Sequence, residues 1–398
     1  MLIRAGLLID GAGNPSRKEQ YLAIENGRIA AVGQQADFAA DQIAQAVDYS
    51  SCSVLPGLID THVHLFLEGV SDLKIREQRW KEAKEMRWLR AEENLEATLK
   101  KGVTTVRDLG GPDGIGIALR EAVSQKKLAG PRVLTCHRAI SVTGGHFHYA
   151  GGREADGPAA MAEAVREQVG AGADCIKLML TGIVDFRTET AGAVEMSGRE
   201  LQAAVEAAHR LNRPVSVHAN GSDGVRLAIA AGVQTIEHGA LLDEATADLV
   251  GGGPAYWTPT LTPFLRMFDY GREHVCRTLP EAGLQRVYTR HCAMVRRGIA
   301  AGAGIVAGTD AGALGVHHGE VWQELALFVE LGMPPLQAIA SATGEAAAAI
   351  GVGTETGVLT PGKQADLLVV QGNPLKDIKS LRNIVQVYKA GIKVLAPV

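Results

Sequence analysis

The 398-residue chain is expected to be an α/β protein, a (β/α)8 TIM barrel with a small β-sandwich domain formed by both termini. Three observations predict this. Through the middle of the chain short apolar strands alternate with amphipathic helical stretches, the pattern of a parallel sheet with helical crossovers. Eight such strands can be counted. The first fifty and last forty residues have a different texture, that of short antiparallel strands joined by turns.

At the amino end, LIRAGLLID is followed by YLAIENGRIAAVG, in which Asn26-Gly27 between two β-rich runs is a strong two-residue hairpin signal. At the carboxyl end come ADLLVVQG, a loop through Asn373-Pro374, and IVQVYKAGIKVLAP with Ala390-Gly391 at the bend. Residues 1–55 and 356–398 are therefore expected to form one composite β-sandwich domain, and residues 56–355 the barrel.

The eight barrel strands are SVLPGLIDTHVHL, GVTTVRDLG, PRVLTCHRAI, ADCIKLMLTG, RPVSVHAN, VQTIEHG, AYWTPTL and AGIVAGTDAG. Intervening segments such as GRELQAAVEAAHRLN and GEVWQELALFVELG carry apolar residues at helical spacing and begin or end at glycine. Eight units fit a TIM barrel better than an open doubly wound sheet, and no G-x-G-x-x-G follows the first strand to favour a dinucleotide fold. Residues 68–92 depart from the repeat as a highly charged helical stretch, expected as a solvated face over the barrel mouth, with a lid as the alternative.

Composition excludes several classes. A net charge of -4 with 21% charged residues lacks the basic bias of a nucleic-acid binder. No apolar run reaches the roughly 18 residues that cross a bilayer, and MLIRAGLLIDGAG lacks the features of a signal peptide, so a cytoplasmic protein is expected. The five cysteines are scattered without a C-x-x-C pair and are expected as reduced thiols.

The chemistry lies at the strand ends. His62 and His64 are two apart, so the strand repeat points both, with Asp60, to one side, which in a barrel is the interior. Lys177 sits in DCIKLML between apolar neighbours, where an ammonium must be neutralised, paired or modified. His218, His238 and Asp310 each end an otherwise apolar strand. Any one of these histidines read alone is more readily a hydrogen-bonded core residue; six such residues at five strand ends are not. Imidazole and carboxylate suit zinc and related divalent ions, and the lack of thiolates favours a catalytic over a structural metal. A bound metal lowers the pKa of water from 15.7 to about 7, which points to hydrolysis.

The chain resembles the amidohydrolase superfamily, in the branch of imidazolonepropionase-like proteins and Xaa-Pro dipeptidase or carboxypeptidase homologues. The resemblance rests on LPGLIDTHVH, GVTTVRDLGG, TGGH at 143–146, IKLMLTG, VSVHANG, TIEHG, PTL at 259–261, GTDAG and TGVLTPGKQADLLVV, in family order over essentially the whole chain. It implies two divalent metal ions, with zinc expected, one held by His62, His64 and Asp310 and the other by His218 and His238. It also implies that Lys177 bridges them as N6-carboxylysine. Asp310 is then both a ligand and the proton carrier between the attacking water and the departing amine, and His146 contacts the scissile carbonyl, with His148 as a substitute.

The implied activity is hydrolysis of an amide bond in a small molecule, a dipeptide or N-acyl amino acid with a free carboxylate, by a homo-oligomer. Hydrolysis of a cyclic amide, lactone or xenobiotic ester or carbamate is the alternative, as is a mononuclear deaminase. Tyr149, Trp257 and His318 are candidates for the substrate-facing wall, together with Phe264, and Arg153 and Arg187 for the cation that a carboxylate needs. Two departures bear on specificity: Thr181-Gly182-Ile183-Val184, where the branch often reads T-G-G-V, and the bulky Trp257 in AYWTPTL.

Overall fold

The computed structural model describes residues 1–182, 192–274 and 281–394. Parallel strands Leu58–Val63, Val103–Asp108 and Arg132–Thr135 are hydrogen-bonded in that order. Strands Ile176–Met179, Val215–Gly221, Thr235–Leu241 and Tyr256–Thr258 continue the series. The third strand is interrupted after Thr135 and resumes at Ile140–Ser141, where Ile140 pairs with Leu178 of the fourth. The eighth position is a nearly extended stretch tied on both sides: Trp257 N donates to Gly304 O (2.9 Å), and Thr61 N donates to Ala307 O (3.0 Å). Those bonds close the barrel. Helices including Gly198–Arg210 and Val321–Glu330 lie where their apolar spacing predicts, packed against one continuous core.

The peptide SVLPGLIDTHVHL does not form one strand. Val47–Pro56 belongs to the terminal sheet, and the barrel strand starts at Leu58. Gly57 marks the change of direction, since a Cβ there would lie 2.2 Å from the Thr104 side chain.

Both termini build one seven-stranded sheet, ordered Ile392–Val394, Ile384–Lys389, Leu367–Gln371, Val47–Pro56, Leu2–Leu8, Arg17–Glu25 and Arg28–Gly33. The sandwich is this sheet curled on itself. Ile29 N donates to Lys363 O (2.9 Å) and Ala365 N to Gly27 O (2.9 Å), closing it around Ile3, Leu22, Ile29, Val54, Leu367 and Tyr388. Both sequence-predicted turns adopt left-handed pairs, Asn26 and Gly27 at φ 50° and 76° and Ala390 and Gly391 at 48° and 75°. That is the geometry whose twist matches a two-residue hairpin.

Residues 68–92 hold the whole of helix Leu73–Trp80 and the start of helix Lys84–Lys100, in place of one continuous helix. Asp72 caps the first by accepting from Lys74 N (2.8 Å) and Ile75 N (3.3 Å). Among the described residues no helix is long and apolar enough to cross a membrane.

Candidate active site

The polar strand ends converge at the carboxyl mouth of the barrel. His62 and His64, on one face of the first strand, point Nε2 at Asp310 Oδ1 from 3.6 and 3.5 Å. Ligand atoms of these three residues lie within 4.8 Å of one another, as a shared cation would require. The His238 ring centroid is 4.9 Å from that of His62 and 4.6 Å from that of His218. Lys177 in the fourth strand is 1% exposed, with no hydrogen-bond partner for Nζ, and its charge acts on all four imidazoles.

Each imidazole is held from behind. His62 Nδ1 lies 2.7 Å from Glu237 Oε2, His64 Nδ1 2.9 Å from Gly110 O, and His238 Nδ1 2.7 Å from Thr260 Oγ1. For His218 the contact falls on the other nitrogen, Asn220 Nδ2 lying 3.0 Å from Nε2. A carboxylate or carbonyl behind Nδ1 fixes the proton there and leaves the Nε2 lone pair for a cation. Burial, with Lys177 as a further cause, lowers the His62 pKa to about 4, and burial likewise pulls His64, His218 and His238 well below the ordinary value. The four rings are therefore neutral donors at pH 7. Burial lowers Lys177 to about 8 against the attraction of Glu237, and raises Asp310 to about 7 against Lys177 and Arg76. His238 and Asp310 both adopt left-handed backbone, at φ 70° and 55°. Strain of this kind at non-glycine residues collects at functional sites.

Three buried groups were not singled out in the sequence. Glu237 Oε1 accepts from Arg107 Nη2 (2.9 Å), Ser216 Oγ (2.7 Å) and Thr235 Oγ1 (2.6 Å), while Arg107 Nε donates to Thr61 O (2.7 Å). Burial alone would raise the Glu237 carboxyl, but Arg107 and His62 hold it well below the usual range. This anchored carboxylate sets the His62 tautomer. Glu324, also wholly buried, accepts from Leu261 N (2.7 Å) and Thr262 N (2.9 Å) at the start of helix Leu261–His274. Asp60, expected on the same side as the two histidines, is buried and accepts from Thr309 N (3.0 Å) and His62 N (3.3 Å), and its atoms do not join the ligand group of His62, His64 and Asp310.

The substrate-facing candidates separate. The His146 ring lies 4.4 Å from that of His218, tilted by 45°, and burial lowers its pKa to about 3. Tyr149 is 58% exposed at the rim, 6.5 Å from the His146 ring. Phe264 is buried at the edge of the cluster, its ring centroid 6.3 Å from that of His238.

The other expectations need correction. His148 is exposed, with its Nδ1 turned to Gly145 O (2.8 Å) and not set in the histidine cluster as His146 is against His218. Trp257 is 0% exposed and lines no mouth; its Nε1 donates to His238 O (2.8 Å), and it fits inside because Gly239 and Gly298 have no Cβ. His318 is buried with Nε2 on Leu67 O (2.8 Å), pinning the loop after the first strand. Arg153 is spent on Glu167 at 2.6 Å, and Arg187 lies outside the described residues, as do Ile183 and Val184.

Fold and site together define a TIM-barrel enzyme with a histidine-rich centre at the carboxyl ends of its strands. The chain belongs to the amidohydrolase family, whose model matches residues 53–394, and it is a hydrolase of carbon–nitrogen bonds. An ochratoxinase of Aspergillus niger is 31% identical over 435 residues, covering 98% of this chain and 85% of the relative. The solved structure of a Xaa-Pro dipeptidase with bound methionine in its active site superposes with a TM-score of 0.89 at 32% identity, covering 99% of both chains. A prolidase complexed with N-methylphosphonate-L-proline superposes with a TM-score of 0.87 at 30% identity, covering 100% of this chain and 99% of that one.

Proposed function

We propose that the protein is a metal-dependent amidohydrolase that cleaves the amide bond of a dipeptide or N-acyl amino acid with a free carboxylate. The observation that carries this is the buried, unpartnered Nζ of Lys177 amid four neutral imidazoles and Asp310. An amine in that position is costly unless it is converted to something the site can use. Loss of a proton from the ammonium, attack of the amine on carbon dioxide and loss of a second proton from nitrogen would give a carbamate, an anion with two oxygens.

The donor set fits divalent ions. His62, His64 and Asp310 would hold one, His218 and His238 the other, and carboxylated Lys177 both; zinc is the metal expected of nitrogen and oxygen donors. Such ions supply a low-pKa water and a polarised carbonyl. The chain's own residues supply the rest. Asp310, raised to about 7 by burial, is poised to accept a proton near neutrality and to return it to the departing amine. His146, neutral beside His218, donates from its ring to the carbonyl oxygen as negative charge develops there.

Relatives described as Xaa-Pro dipeptidase and prolidase support the dipeptide reading, and methionine in the active site of the former supports an amino-acid product. The four free cysteines among the described residues support a reducing, cytoplasmic setting. Purified enzyme is to be offered a panel of dipeptides and N-acyl amino acids beside cyclic amides, lactones and esters. Turnover of the first group is expected. Turnover of the second group alone would contradict the reading.

A further inference from the structure

Four arginines line a cleft beside the barrel mouth, with Phe66, Glu68 and Trp80 among its walls. Three of them have carboxylate partners. Arg79 and Arg90 both pair with Glu68, Arg90 also with Glu82 at 2.6 Å, and Arg87 with Asp113 at 3.0 Å. Arg76 differs. Among the described residues no carboxylate lies within ion-pair distance of it, and its Nη1 donates to Gly312 O (2.8 Å), two residues beyond Asp310. Arg76 is half-buried, burial pulls its pKa below the ordinary value, and the Asp310 carboxylate opposes that pull. A half-buried guanidinium that no carboxylate among the described residues pairs with directly stands at the entrance to the site, and its fork suits a carboxylate.

We infer that Arg76 is the specificity-determining residue that grips the free carboxylate of the substrate, on the amino acid released as the leaving group. The side of the site follows from the proton path: as its bond to the carbonyl carbon breaks, the departing amine takes its proton from Asp310 in the proposed reaction, and Arg76 is hydrogen-bonded to the loop that carries Asp310. In the substrate the carboxylate is attached to the carbon next to that amine nitrogen, so both lie on one side.

Trp80, four residues after Arg76, shares its helix face. Its ring meets Phe66 at 5.8 Å and Tyr149 at 5.9 Å, and Tyr149 meets His146 at 6.5 Å. One helix thereby brings both a cation and an apolar wall to the mouth. That pairing selects an amino acid with an apolar side chain and a free carboxylate. The inference rests on the proposed function and assigns residues 73–80 the selective part of the cover over the site.

The test compares N-acetyl-L-methionine and N-benzoyl-L-phenylalanine with their C-terminal carboxamides, using wild type, Arg76→Gln and Arg79→Gln. Wild type is expected to prefer the acids. Arg76→Gln should lower kcat/KM for the acids by about tenfold to a hundredfold, mainly through KM, and leave the carboxamides unchanged. Arg79→Gln, which loses only a pair within the cleft wall, should keep the wild-type ratio of acid to carboxamide. An equal loss on both substrates in Arg76→Gln would make Arg76 only a latch on Gly312 and overturn the inference. A preference for acids that survives Arg76→Gln would overturn the inference and leave the functional reading standing. A wild type with no preference for the acids, or no turnover of either, would overturn the free-carboxylate reading and this inference with it.

Discussion

Glu237→Gln changes one charge and almost no volume, yet it should disturb both the fold and the site. Glu237 Oε1 serves Arg107, Ser216 and Thr235, while Oε2 faces His62 Nδ1 at 2.7 Å. A glutamine oxygen can keep the first three donors, but its amide NH2 then faces His62 Nδ1. Two donors cannot pair, so the His62 proton must move to Nε2, the nitrogen 3.6 Å from Asp310. The lone pair that a cation needs is then lost.

The charge change has its own cost. Arg107, 2% exposed, loses its counter-ion, and breaking a buried pair from one side costs roughly 3 to 5 kcal/mol, here near 3 because the hydrogen bonds survive. At an unfolding entropy of about 2.1 cal/mol/K per residue over 398 residues, that lowers Tm by about 4 °C. Metal affinity should fall about 10- to 100-fold. Calorimetry of metal-stripped protein and zinc titration against a chelator measure the two effects separately. A variant that unfolds with wild type and binds zinc equally well would refute the role assigned to Glu237.

Glu324 sits wholly buried with its pKa raised by burial from 4.5 to about 7. A raised folded value means that its stabilising contribution is complete below pH 4.5 and is lost as pH rises through 7, by up to about 3 kcal/mol. Urea unfolding of wild type between pH 5 and 8 should therefore fall relative to Glu324→Gln, and parallel profiles would contradict the assignment. His146→Ala should lower kcat by about a hundredfold or more, whereas His148→Ala, at an exposed ring bonded to Gly145 O, should change kcat/KM by no more than about twofold. Comparable losses in the two variants would show that His146 has no special contact with the substrate.

The barrel and the convergence of its strand ends were legible because the signals are local. Each of His62, His64, Lys177, His218, His238 and Asp310 interrupts an apolar run at a point fixed by strand periodicity. The support behind them was not legible, because its partners are remote: Arg107 and Glu237 are 130 residues apart, and either alone reads as one charge in a strand. Trp257 misled for a related reason. Its size suggested a wall of the mouth, but the space that buries it is made by Gly239 and Gly298 from other elements. Arg76 was hidden in a charged stretch whose other arginines are paired, and only their partners set it apart.

The central claim is that Lys177 joins two metal ions in one hydrolytic centre. It is tested most directly by counting metal per chain, by elemental analysis of enzyme purified without chelator, in wild type and in Lys177→Ala, alongside hydrolysis of the dipeptide panel. Two ions per wild-type chain, with loss of bound metal and of turnover in the variant, is the expected result. One ion in both proteins, with the variant still active, would contradict the bridged centre and favour a mononuclear enzyme in which Lys177 is structural.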